Sequence, residues 1–177
     1  MNVLAFAASN SKQSINKTLA TYAAGLIKQG NVEVVDINDF EMPIYSIDRE
    51  DELGTPLLAL AFHRKIADAD ALIISFAEHN GSYTAAYKNL FDWISRIDIK
   101  VFQGKSVVYL ATSPGPGGAA TVLDCAVTSA PHFGADLKGS ISVPSFFDNF
   151  DVEGGEITNP EIKEKILEAI QQLGTAQ

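Results

Sequence analysis

Short runs of β-branched and aliphatic residues recur along this chain, and longer stretches with helical spacing separate them. The runs are Val3 to Ala7, Val32 to Val35, Ala71 to Ser75, Val107 to Ala111 and Ile141 to Val143. Each has the length of a strand, and near-continuous apolar character marks a strand buried on both faces. After the first run, Ile15, Leu19, Tyr22, Ala23, Leu26 and Ile27 recur on one helical face, and Gly30 reads as the stop of that helix. A loop containing Pro43 follows the second run. The stretch from Leu53 to about Ala67 carries Leu57, Leu60 and Ala61 at helical spacing. Ala85 to Arg96 reads as the third helix. Ala119, Val122, Leu123, Ala126, Val127 and Ala130 mark the fourth. The last helix starts either with a capping box of Thr158 and Glu161 or with Asn159 as cap and Pro160 at its first position. Its apolar face is Ile162, Ile166, Leu167, Ile170 and Leu173.

Strands that alternate with helices imply right-handed crossovers and an α/β fold, a parallel sheet covered on both faces. The chain has no internal repeat, no low-complexity tract and no dividing linker, so residues 1–177 are expected to form a single domain. In open sheets of this kind, ligands bind beyond the carboxyl ends of the strands, where the strand order reverses. That rule directs attention to the loops after the first, third and fourth strands.

Composition narrows the class of function. The formal net charge of −9 repels phosphate backbones and anionic lipid heads, which excludes nucleic acid and membrane surfaces as expected partners. The start Met1-Asn2-Val3-Leu4 lacks a basic region and no apolar run approaches a membrane span, so the expectation is a soluble cytoplasmic protein. The single cysteine, Cys125, rules out an internal disulfide. It lies in a helical pattern with no charged activator nearby in sequence and reads as buried core. His63 and His132 have no metal-ligand spacing with each other or with Cys125, so no metal site is expected.

The loop after the first strand is Ala8-Ser9-Asn10-Ser11-Lys12-Gln13-Ser14-Ile15-Asn16. It opens a helix, where free backbone N–H groups and the helix dipole attract an anion. Ser9, Ser11, Ser14 and Asn16 offer further donors to a phosphate, and Lys12 offers positive charge. The loop is neither a Walker loop nor a G-x-G-x-x-G turn. The plainer reading makes Ser14 a helix cap and nothing more. The loop after the third strand is Glu78-His79-Asn80-Gly81-Ser82-Tyr83-Thr84. Asn-Gly favours a tight turn because both residues tolerate positive φ. The loop after the fourth strand is Ser113-Pro114-Gly115-Pro116-Gly117-Gly118, whose glycines let backbone approach a flat ligand.

Taken together, these motifs resemble the NADPH-dependent FMN reductase family, whose members include azo-, quinone- and chromate-reducing proteins. The family's phosphate loop, G-S-x-R-x-x-S-x-N, is matched at Ser9, Ser14 and Asn16, with Ala8 and Ser11 in place of its glycine and arginine. Its P-E-Y-N-G-S motif and following K-N-x-x-D-W helix are matched at Glu78, Asn80, Gly81, Ser82, Lys88, Asn89, Asp92 and Trp93. Ala77 and His79 depart from it. Its third, glycine-rich element resembles Ser113 to Gly118. The resemblance implies a flavodoxin-like three-layer α/β/α sandwich with a five-stranded parallel sheet in the order 2-1-3-4-5. It implies FMN as cofactor, NAD(P)H as co-substrate and a small-molecule acceptor: a quinone, azo compound, metal oxyanion or flavin. The expected cofactor-binding residues are Ser9, Ser11, Lys12, Ser14, Ile15, Asn16, Glu78, His79, Asn80, Gly81, Ser82, Ser113, Pro114, Gly115 and Gly117, and no protein nucleophile is needed. Lys88, Asn89, Asp92 and Trp93 read as structural, with Asp92 pairing with Lys88 one helical turn away. A homodimer or homotetramer is also implied. A flavodoxin-like electron carrier without NAD(P)H turnover is the competing reading.

Overall fold

Backbone polar groups in an apolar run must pair with neighbouring strands, and here they do so in one sheet. The computed structural model describes residues 1–174. Its central sheet contains β1 (Asn2–Ala8), β2 (Asn31–Val35), β3 (Ala71–Phe76), β6 (Ser106–Thr112) and β7 (Asp136–Val143). All neighbours pair in parallel, in the order β2-β1-β3-β6-β7. Counted along the main sheet this is the order 2-1-3-4-5, the flavodoxin-like arrangement. The intervening labels belong to two small hairpins, β4 (Glu78–His79) with β5 (Ser82–Tyr83), and β8 (Phe150–Asp151) with β9 (Glu156–Ile157).

The period of two along the strands divides the core. Leu4, Phe6, Ile74 and Tyr109 face one layer, formed by α3 (Leu57–Asp68), α4 (Ala85–Ile97) and α5 (Ala120–Ser129). Val3, Ala5, Ile73 and Val108 face the other, formed by α1 (Ile15–Gly25) and α7 (Pro160–Gln172). Two short helices, α2 (Ile47–Leu53) and α6 (Phe146–Asn149), and a 3-10 turn at Ile37–Phe40 complete the elements of the described residues. The strand order reverses between β1 and β3, which end side by side at Ala8 and Phe76. None of the described helices is long and apolar enough to cross a membrane.

Several boundaries differ from the sequence reading. The first helix ends at Gly25, not Gly30. Gly30 instead leads into β2 at φ 133°, where an added Cβ would overlap the Met1 carbonyl oxygen. The helix expected from Leu53 begins only at Leu57, after Gly54 and Pro56, and a separate short helix absent from the sequence reading, Ile47–Leu53, precedes it. Within α3 the buried stripe is Ala59, Phe62 and Ile66; Leu57, Leu60 and Ala61 face out, Leu57 being 82% exposed. Phe62 decides the orientation, because its ring meets Phe6 and Phe40 edge-on at 5.2 and 4.9 Å. The fifth strand is longer than Ile141 to Val143, since it begins at Asp136 and carries a register irregularity opposite Val107 and Val108. Asn159 caps the last helix, its side chain accepting from the Glu161 and Ile162 amides, so the alternative with Pro160 first prevails. Cys125 is exposed rather than buried, because the core face of α5 is taken by Val122, Leu123 and Ala126.

Candidate functional site

The carboxyl ends of β1, β3 and β6 bring the three singled-out loops to one edge of the sheet. Buried side chains knit them together. Asn16, in the first turn of α1 and only 2% exposed, accepts at Oδ1 from the Thr112 amide (3.1 Å) and the Ser75 hydroxyl (2.8 Å). Its Nδ2 donates to the Thr112 carbonyl at 3.0 Å. Thr84, fully buried, caps α4 and donates its hydroxyl to the Ala8 carbonyl at 3.0 Å. The third loop is fixed from its far side, where Ser145 and Phe146 donate their backbone amides to the Gly115 and Ser113 carbonyls.

Within the first loop, Ser9 and Ser14 are buried, while Ser11 and Lys12 are exposed. The Ser9 hydroxyl oxygen accepts from the Ser11 amide, and that of Ser14 accepts from the Lys17 amide as the cap of α1. A hydroxyl that accepts a bond keeps its own proton to donate. Capping and anion binding are therefore compatible at Ser14. The amides of Ile15 and Asn16 begin α1, where no intrahelical acceptor exists for them. Lys17 is held by Asp36 at the end of β2, and that lysine lowers the Asp36 carboxyl below its ordinary range. Lys12 has no acidic partner among the described residues. Asn16 differs from the other phosphate candidates, since its side-chain amide is spent inside the protein and acts by positioning the loop, leaving only its backbone N–H to offer.

In the second loop, Asn80 and Gly81 have φ of 53° and 74°, the positive pair that a two-residue β4–β5 hairpin requires. His79, Asn80 and Ser82 stand exposed at its tip. Glu78 is turned inward, and its Oε2 accepts from the Val122 amide at 2.9 Å. This carboxylate replaces a cap that α5 otherwise lacks, because Ala119 precedes the helix at φ 57° with no side-chain bond. In the third loop the Ser113 hydroxyl donates to the Gly115 carbonyl at 3.2 Å, and Pro114 is exposed. A Cβ at Gly115 or Gly117 would meet open space. Asn80, Ala119 and Ser145 all hold positive φ around this edge. Strained backbone of this kind tends to collect at functional sites. The arrangement offers hydroxyl, amide and cationic donors at one end and glycine backbone at the other, which fits a phosphate-bearing planar cofactor.

The K-N-x-x-D-W helix is structural. Lys88 and Asp92 pair at 2.7 Å as expected. Asn89 accepts from the Tyr45 amide and donates to the Met42 carbonyl, and the Trp93 indole donates to the Pro43 carbonyl. The motif thus clamps the Pro43 loop. Sequence reasoning missed Ser75, Thr84 and Thr112. For Ser75 and Thr112 the available signal was a polar residue at the end of an apolar strand, where burial demands a partner, and for Thr84 a threonine directly before a helical pattern.

Glu78 supplies a prediction of its own. Glu78→Ala removes a charge-assisted helix cap and should cost about 1–2 kcal/mol, read as a lowered midpoint in thermal unfolding. Glu78→Gln keeps an accepting oxygen and should cost less; equal losses in both variants would count against the capping role.

The family model described as NADPH-dependent FMN reductase matches residues 1–146. A 2-hydroxy-1,4-benzoquinone reductase of a Burkholderia species is 38% identical over 111 residues, 62% of this chain and 58% of its own. An NADPH:quinone oxidoreductase of Arabidopsis thaliana is 29% identical over 183 residues, covering 94% and 89%. Among solved structures, the flavoenzyme NAD(P)H:(acceptor) oxidoreductase FerB of Paracoccus denitrificans superposes with a TM-score of 0.75 at 23% identity, covering 97% and 94%, which is a likeness of fold. With its motifs, sheet order and family match in agreement, this chain belongs to the NADPH-dependent FMN reductase family.

Proposed function

We propose that the protein is an NAD(P)H:quinone oxidoreductase that holds FMN non-covalently at the edge formed by the three loops. The observation that carries this reading is the first loop. It gathers in one loop two buried hydroxyls with free protons, the leading amides of α1 and Lys12, which has no acidic partner among the described residues, in an otherwise acidic chain. Quinone as acceptor follows from the names of the relatives. A cytoplasmic homodimer is part of the same proposal.

When bound, FMN supplies the two-electron chemistry. The protein's own residues do the rest. Ser9, Ser14 and the amides of Ile15 and Asn16 are assigned to the phosphate, with Ser11 and Lys12 at the rim. Ser11 stands where the family has an arginine and cannot make that side chain's bidentate contact. The β4–β5 hairpin and the Ser113–Gly117 loop are assigned to the ring, with backbone in place of bulky side chains at Gly81, Gly115 and Gly117. Thr84 and Asn16 keep the two ends in register.

Absorbance tests the proposal directly. The purified protein, supplemented with FMN, is expected to show bound flavin that bleaches with NADPH or NADH under anaerobic conditions and recovers when a quinone is added. Bound flavin that neither nucleotide bleaches would replace the reductase reading with that of an electron carrier. Failure to retain FMN would remove both. Sedimentation of the same sample should give the mass of a dimer.

A further inference from the structure

A groove of about 920 Å³ runs along the outer face of α1, between that helix and the segment of α6, β8 and β9. Pockets for small molecules typically enclose about 300–1,000 Å³. Its floor is one helical face, Thr18, Thr21, Tyr22 and Gly25. Its wall is aromatic. Phe146 stacks on Phe150 at 4.8 Å, and Phe150 meets the Tyr22 ring edge-on at 5.8 Å. Phe147 and Val152, 63% and 60% exposed, extend that wall into solvent. A Cβ on Gly25 would meet open space, so the chain leaves that end of the groove unfilled.

Charge and hydrogen bonding narrow what fits there. The chain has 22 acidic residues, yet among the described residues no Asp or Glu lines the groove, while two lysines do. Asp36 already neutralises Lys17. Lys12, without an acidic partner among the described residues, marks the end where α1 begins. A ligand matched to this lining carries its negative charge at that end. The rest of the lining offers little to a polar body. The Thr18 hydroxyl donates to the Ser14 carbonyl. The Tyr22 hydroxyl is buried without a partner, so the ring and not the oxygen faces the groove. Beyond Gln13, no side-chain amide or acid lines it to read the edge of a nucleobase.

We propose that the groove binds a free long-chain carboxylate, a fatty acid, with its head on Lys12 and its chain along α1 against Phe147, Phe150 and Val152. From Ile15 to Gly25 the helix runs about 15 Å at about 1.5 Å per residue, the extended length of a chain of about twelve carbons. A hydrocarbon asks for no hydrogen bonds, and its burial also removes the exposed Phe147 and Val152 from water. Lys12 stands at the rim of the phosphate site as well, so the carboxylate and FMN draw on one cation and oppose each other. That antagonism rests on the FMN assignment above; the groove itself does not.

The test is fluorescence titration of the full-length, FMN-free protein with cis-parinaric acid, a long-chain carboxylate that brightens in apolar surroundings. One saturable site is expected, from which laurate displaces the probe. Gly25→Trp, at an exposed position, fills the groove and should weaken binding about tenfold or more while leaving FMN affinity unchanged. Lys12→Gln should weaken laurate about two- to fivefold, the worth of an exposed ion pair, and leave the neutral 1-dodecanol as it was. In calorimetric titration, laurate should bind the FMN-loaded protein more weakly than the FMN-free protein, by a similar factor. Absence of a saturable site overturns the proposal and leaves Phe147 and Val152 to a contact with another chain. Binding unchanged in Gly25→Trp overturns it by placing the probe in another cavity. Lys12→Gln acting equally on laurate and 1-dodecanol overturns the place of the head group, and no effect of FMN overturns the antagonism. Groove binding as expected in a protein that fails to retain FMN would keep the groove and lose the reductase reading. Retained FMN that NADPH bleaches, with no groove binding, would do the reverse.

Discussion

Asn16→Ala is expected to lower stability by about 2–4 kcal/mol. In a chain of this size that corresponds to a fall of about 6–12 °C in the unfolding midpoint. The side chain makes three hydrogen bonds between α1, β3 and β6. Each contributes about 0.5–1.5 kcal/mol net. The low end of that sum is not expected, because the Thr112 amide and Ser75 hydroxyl stay buried, at 1% and 0% exposure, with their partner gone. The same change frees the first turn of α1 from the strands that define the site edge. FMN affinity should then fall along with stability, even though the Asn16 side-chain amide itself is turned into the protein. Thermal unfolding of the FMN-free protein separates the two effects. A midpoint within about 2 °C of the parent protein would show that the three bonds carry little, and Asn16 would return to the list of direct phosphate donors.

The case of Asn16 also shows what a sequence of this kind discloses. The apolar runs identified β1, β3 and β6 because a strand covered on both faces can contain little else, whereas β2 is exposed except at Val35 and was marked by its β-branched residues instead. Asn80-Gly81 marked its hairpin because two consecutive positive φ values leave few choices of residue. The edge of the sheet where the loops gather followed from strand order. What remained hidden depends on direction in space. Asn16 and Glu78 belong to motifs rich in donors and acceptors, and nothing in the spacing shows that both turn inward to other elements. The helical period of α3 admits two stripes, and only the position of Phe6 and Phe40 selects the one containing Phe62. Cys125 lies two residues beyond Leu123 in α5, so a small shift in the inferred stripe moves it from core to surface. Tyr83, Tyr87 and Tyr109 come from β5, α4 and β6, and their meeting around Phe76 is a product of the fold alone.

Lys12→Glu should weaken FMN binding about a hundredfold at low ionic strength while leaving the unfolding midpoint of the FMN-free protein nearly unchanged. Lys12 is exposed, so the exchange disturbs no packing. Its effect is electrostatic. Two unit charges on the order of 6 Å apart in water interact by about 0.7 kcal/mol. The substitution changes the local charge by two and acts on a phosphate of about two negative charges, giving about 3 kcal/mol in all, or about a hundredfold. At about 0.15 M salt, where the screening length is about 8 Å, roughly half of that energy remains and the loss shrinks to about tenfold. The salt dependence is the diagnostic part. Lys17 is the other lysine near this turn, and Asp36 already neutralises it, so Lys17→Glu should affect affinity less than Lys12→Glu. Fluorescence titration of FMN at two salt concentrations checks all of this. An affinity loss that is the same at both concentrations would mean that Lys12 acts through loop conformation. No loss at either would place the phosphate elsewhere, and with it the direction in which the flavin lies across the edge of the sheet.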